Sequence, residues 1–131
     1  MNYLLIGVSE IDKIRVFIAD DSPVARNMLI RMLNEEDDVV IVGEAGTTQS
    51  CIMMLDEVDP DIMLMEAAIN GGMGIEMLLR SIRDIRPNIK IILSVEISAG
   101  EDVIKSAGQW ISDFIHKPYN KTNLMRAIRS V

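Results

Sequence analysis

Several apolar stretches of this 131-residue chain stop at polar groups: Asp20 and Asp21 after IRVFIA, Glu66 after DIMLM, Ser94 near the end of KIILSV, and His116, Lys117 and Pro118 after DFI. Carboxylates brought close together repel. Such a cluster raises a pKa, recruits a hard cation such as Mg²⁺, or pairs with a cation such as Lys117. Mg²⁺ prefers oxygen ligands and keeps several waters, so a few carboxylates suffice to hold it. A hydroxyl and an ammonium beside them, from Ser94 and Lys117, suit the oxygens of a phosphoryl group. The chemistry indicated is phosphoryl handling. Taken singly, each piece has an ordinary reading. Paired aspartates before Ser-Pro favour a helix N-terminus, Lys-Pro makes a turn, Glu66 is a solvated loop acid, and Ser94 is satisfied by nearby backbone. Only their joint order points to a site.

The elements that must position these groups alternate. IRVFIA reads as a buried strand and the stretch after it as a helix, with apolar residues at helical spacing. Ser22 caps that helix and Pro23 fits its first turn, and its end is expected near Asn34. VVIVGE is a second strand, and TTQSCIMMLDEV a second helix stopped by Asp59 and Pro60. DIMLM with GIEMLLRSIRDI, KIILSV with EDVIKSAG, and DFIH with TNLMRAIRS complete five strand-helix units. Short connections and near-continuous apolar strands predict an α/β fold: a doubly wound five-stranded parallel sheet with helices on both faces. In such sheets ligands sit beyond the carboxyl ends of the strands, where strand order reverses. Asp20, Glu66, Ser94 and Lys117 are expected at that edge.

The length suits one domain, and 49% hydrophobic content can fill one core. Residues 1–13 form an N-terminal extension, with Leu4, Leu5 and Ile6 hinting at packing, and residues 14–131 form the domain. No apolar run approaches the roughly 20 residues that span a bilayer, and the opening MNYLLIGVSEIDK does not resemble an export signal. The expected location is the cytoplasm. A formal net charge of −7 opposes nucleic acid and anionic membranes as partners and favours a protein partner or a bound cation. Cys51, in the apolar run CIMML, reads as a core thiol, and most of the ten methionines read as core residues too.

These stretches together resemble the receiver domain of bacterial two-component response regulators, the chemotaxis-regulator-like, flavodoxin-like (βα)5 fold. FIADDSPVAR is similar to the family's acidic pair and first helix, and DIMLMEAAINGGMG aligns without gaps on the strand that carries the phosphoryl-accepting aspartate. IILSV corresponds to the strand bearing a Thr or Ser, and DFIHKPY to the switch aromatic and Lys-Pro pair. The resemblance implies that Asp20 and Asp21 bind Mg²⁺, joined by Glu66 and the Ala68 backbone carbonyl. It implies that Ser94 and Lys117 contact the phosphoryl group, that Ser94 and Phe114 form the switch, and that the Lys117–Pro118 bond is cis. The implied partners are a histidine kinase or a downstream signalling protein. A second copy is also implied, meeting the face of the last helix, fifth strand and preceding helix, where Tyr119, Lys121 and Arg126 are candidate contacts.

The departure from the family falls on the acceptor itself, which is Glu66. Glutamate is one methylene longer, so its carboxylate reaches toward Lys117, Ser94 or the metal and sits poorly for in-line attack. It imitates a phosphoaspartate with one charge where a phosphoryl group carries nearly two. Ile69, Asn70 and Met73 alter the following loop, the branched Val95 after Ser94 crowds access for a phosphodonor, and AGQWISDF is two residues longer than its usual counterpart. The first expectation is therefore an atypical receiver, impaired in phosphorylation, that signals through protein contacts and is not itself an enzyme. The alternative is a working Mg²⁺-dependent phosphoacceptor with Glu66 as nucleophile. A flavodoxin-like cofactor carrier is disfavoured, because DDSPVA sets two negative charges where a flavin phosphate would lie.

Overall fold

The computed structural model describes residues 12–69, 71, 74–97 and 100–131. Leu4, Leu5 and Ile6 of the expected extension, and Asn70 and Met73 of the altered loop, lie outside the described residues. The elements run β1 (Ile14–Ala19), α1 (Pro23–Asn34), β2 (Val39–Ala45), α2 (Thr48–Leu55), β3 (Ile62–Glu66), α3 (Ile75–Ile85), β4 (Lys90–Glu96), α4 (Gly100–Ala107), β5 (Asp113–Lys117) and α5 (Lys121–Ser130). A short 3-10 turn, Gly108–Trp110, precedes β5. All strand pairs are parallel and the sheet order is β2-β1-β3-β4-β5. The doubly wound five-stranded sheet is as expected, and strand order reverses between β1 and β3.

Strand periodicity sorts the core into two layers. Val16, Ile18, Leu64 and Ile92 meet Leu29 and Leu33 of α1 and Leu124 and Ile128 of α5. Phe17, Met63, Met65, Leu93 and Val95 meet Cys51 and Leu55 of α2, Leu78 and Ile82 of α3, and Ala107 of α4. Cys51 is fully buried, and burial pushes its thiol up to about 12, which fits the core role read from CIMML. Val95 packs into the α2–α4 layer. It therefore faces away from Ser94 and does not crowd access to it.

Ser22 caps α1 as expected, its hydroxyl accepting the Ala25 amide at 3.2 Å with Pro23 following. Helix α2 ends at Leu55, short of Val58, and the Leu55 carbonyl at its end accepts Nε of Arg86 at 3.0 Å from the end of α3. The longer stretch before β5 is moored to α3 as well: Arg83 donates to the Trp110 carbonyl from Nε at 3.1 Å and Nη2 at 2.7 Å. The Arg80 guanidinium lies 5.8 Å from the Trp110 ring centroid, within cation–π range.

Helix α5 is tied to the end of α1 by charge. Arg129 meets Asp38 through two hydrogen bonds, 2.8 and 2.9 Å, and Glu36 at 3.2 Å. The Arg129 hydrogen bonds hold the Asp38 carboxyl below its ordinary value. A carboxyl with a lowered folded-state pKa stabilises the fold above its unfolded value, about 3.9, and loses that contribution as pH falls through the folded value. Arg129→Gln is therefore expected to lower the melting temperature slightly at pH 7, with the gap to the parent closing as acid protonates Asp38. A gap that is unchanged at acid pH would refute the pairing.

Candidate functional site

Strand ends and the two-residue period decide which polar groups meet. Asp20, Glu66, Ser94 and Lys117 continue the parity of Ile18, Leu64, Ile92 and Ile115, residues of the α1/α5 layer. They therefore gather over that layer at the carboxyl edge of the sheet. Glu66 is in register with Ser94, and Glu96 with Lys117. Asp20, Glu66 and Ser94 are all at least nine-tenths buried, at 4%, 6% and 7% exposure.

The Glu66 carboxylate is held from two sides. One oxygen accepts the Ala68 amide at 3.1 Å, and the other forms an ion pair with the Lys117 ammonium. The Lys117 side chain is a quarter exposed, so the pair sits at the rim with its acid inward. The Lys117–Pro118 bond is cis, the geometry the resemblance implied. Asp20 accepts the Ser22 amide at 2.9 Å, and its backbone carbonyl accepts the Arg26 guanidinium, which also meets Glu44 at 3.1 Å. Ser94 Oγ is buried and makes no hydrogen bond within ordinary limits of length and angle.

Among the described residues, no group of three or more His, Cys, Asp or Glu side chains gathers to hold a metal ion. The Glu66 carboxylate is paired with Lys117. Mg²⁺ needs only one or two carboxylates when waters complete its shell, so the donor set fits it through Asp20, Asp21 and the Ala68 carbonyl, without Glu66. Between Asp20, Glu66, Ser94 and Tyr119 lies a cavity of about 10 Å³, close to the room a single water requires. A phosphoryl group needs more space than that.

Tyr119 is the site residue that the sequence reading misplaced. Expected on an outward partner face, it lines the small cavity instead, where burial, and next the Asp20 carboxylate, push its phenol up while the Ser94 hydroxyl pulls it down. Its place directly after Lys117-Pro118, where the chain turns back over the sheet edge, was the available signal. Lys121, also expected on that face, pairs with Glu35 at 2.8 Å and Glu36 at 3.5 Å. Phe114, with the opposite strand parity from Lys117, is 37% exposed and packs edge-on against His116, ring centroids 5.3 Å apart. The aromatic that the resemblance assigns to the switch therefore points outward.

Gly71, in the glycine-rich stretch after Glu66, is held to α2. Gln49 Nε2 donates to the Gly71 carbonyl at 2.7 Å, over the Thr47 capping box that starts the helix. Gly71 has φ +148°, and a Cβ there would land on the Thr48 hydroxyl. Glycine is thus required by both conformation and space.

The family model described as response regulator receiver domain matches residues 16–129. A transcriptional regulatory protein of Bacillus subtilis (strain 168), YxjL, is 30% identical over 119 residues, covering 91% of this chain and 54% of that protein. The chemotaxis protein CheY of Halobacterium salinarum is 30% identical over 117 residues, covering 89% of this chain and 95% of that one. This chain thus spans about half of the first relative and nearly all of the second. Among solved structures, the response regulator domain of Thermotoga maritima CheB superposes with a TM-score of 0.77 at 23% identity, covering 89% of this chain and 94% of that one. RcsB of Salmonella typhimurium superposes at 0.81 with 21% identity, covering 90% and 58%. Both agree with the fold described above.

Proposed function

Since this chain belongs to the response regulator receiver domain family, we propose that it is a receiver module of two-component signalling in which Glu66 takes no phosphoryl group and output runs through protein contacts. The carrying observation is the engagement of both Glu66 oxygens, one by the Ala68 amide and the other by Lys117. Phosphorylation would require a carboxylate oxygen to form a bond to phosphorus as the donor oxygen leaves, in line with it. An oxygen drawn into an ion pair is turned away from that path. Lys117, which the family resemblance assigns to the incoming phosphoryl group, is neutralised by the same contact.

Glu66 imitates a phosphorylated acid only in part. It recruits Lys117 but makes no hydrogen bond to Ser94, and Phe114 stays outward. A full imitation engages both phosphoryl-contacting residues and draws the aromatic in. The expected partners are a kinase or a downstream signalling protein, and the contact surface is the face of α4, β5 and α5 on which Phe114 and His116 stand exposed. Mg²⁺, when bound, neutralises charge at the acidic pair through Asp20, Asp21 and the Ala68 carbonyl.

The testing experiment is intact mass after incubation with acetyl phosphate and Mg²⁺, for the parent and for Glu66→Asp. The shorter acid withdraws from Lys117 and restores the family's acceptor. A phosphoryl adduct on the variant alone is expected. An adduct on the parent at Glu66 would overturn the proposal in favour of a working glutamate acceptor, and no adduct on either protein would place the block elsewhere than at Glu66.

A further inference from the structure

Resting on the reading of a site filled from within, we infer that Tyr119 is a positioning residue that occupies Ser94 as Glu66 occupies Lys117. Ser94 Oγ is buried in the wall of the 10 Å³ cavity and makes no hydrogen bond to the backbone there. Buried hydroxyls seek a hydrogen bond, since an unmet one carries the full cost of desolvation. Of the polar side chains lining the same cavity, Asp20 and Glu66 are acceptors when ionised, and the Tyr119 phenol oxygen is a third acceptor for the Ser94 O–H. Asp20 already accepts the Ser22 amide, and Glu66 is held by Ala68 and Lys117. The phenol is the group left to serve the serine.

Tyr119 is held for this task. Its ring is packed against the α1/α5 layer, and it also forms part of the wall of an open apolar groove with Ala25, Met28, Met32 and Pro118. It therefore stands between the groove and the small cavity, closing one from the other. The direction in which Ser94 moves the phenol's pKa, opposite to burial and Asp20, agrees with the two hydroxyls being neighbours. With Ser94 turned to the phenol, its hydroxyl is withheld from an incoming phosphoryl oxygen. The block is thus double, by ion pair at Lys117 and by hydrogen bond at Ser94.

The test is a mutant cycle in the Glu66→Asp background, reading the initial rate of phosphorylation by acetyl phosphate and Mg²⁺ from intact mass. There, an aspartate oxygen bonds to phosphorus while acetate departs. Adding Tyr119→Phe, which removes only the hydroxyl, is expected to raise the rate roughly two- to tenfold, the range that one ordinary hydrogen bond converts to. Adding Ser94→Ala as well is expected to abolish that gain, so that the Ser94→Ala proteins with Tyr119 and with Phe at that position react alike. A looser fold would speed both pairs equally, which separates positioning from packing. An unchanged or slower rate with Tyr119→Phe, a gain that survives Ser94→Ala, or no phosphorylation in any Glu66→Asp protein would overturn the inference. Phosphorylation of the parent at Glu66 would instead overturn the filled-site reading, and the same cycle with Glu66 in place would then judge Tyr119 by the same outcomes.

Discussion

Lys117→Met is expected to destabilise the fold by about 3 kcal/mol, the low end for removing one partner of a buried ion pair. Glu66 is 6% exposed, and without the ammonium its carboxylate keeps only the Ala68 amide. The low end applies because the Lys117 side chain is itself a quarter exposed, so part of the Coulomb gain is already shared with water. For a domain of this size the loss corresponds to a drop of roughly 10 °C in melting temperature. The companion Lys117→Met, Glu66→Leu protein is expected to regain most of it, because an apolar pair of similar volume carries no charge to desolvate. Calorimetry of the three proteins at one pH decides the matter. If the single variant melts within a degree or two of the parent, Glu66 has water or another cation to hand and the ion pair is not what anchors it.

Gly71→Ala should cost about 2 kcal/mol, from strain at a backbone angle that L side chains avoid and from loss of the Gln49–Gly71 hydrogen bond at 2.7 Å. The added methyl has nowhere to go. Thr48 is fully buried, its amide lies 2.8 Å from the new carbon, and its hydroxyl lies closer still. Residue 71 must therefore lift from α2. Gly74→Ala is the matched control, with nothing within 4 Å of its Cβ and an unremarkable φ of −64°, and should fall within about 0.5 kcal/mol of the parent. Denaturant unfolding of both separates a specific clash from a general need for loop glycine. Equal stability of the two variants would mean that Gly71 is not held to α2.

Much of the fold was legible in the residues. VFIA, IMLM and IILSV, the inner parts of β1, β3 and β4, are buried because parallel strands are covered on both faces, and the Ser22-Pro23 start was visible because capping is local chemistry. The premature end of α2 was not. The contact that receives its last carbonyl, from Arg86 to Leu55, spans 31 residues, and no local pattern reports it. The outward side chain of Phe114 and the inward one of Lys117 follow from strand parity, but only once β5 is known to start at Asp113.

The sequence by itself determined the class of fold, the edge of the sheet where polar groups collect, and the substitution at Glu66, since each is written in period, order or identity. Tertiary structure alone decided what Glu66 does. Three candidates stood open to its longer arm: the acidic pair, Ser94 and Lys117. Strand order puts β3 beside β4 and β5 at the sheet's edge, and Tyr119 lines the same small cavity as Ser94. An ammonium satisfies a buried carboxylate better than a hydroxyl, and two further carboxylates would repel it. Glu66 therefore pairs with Lys117, a choice set by distances that no spacing along the chain encodes.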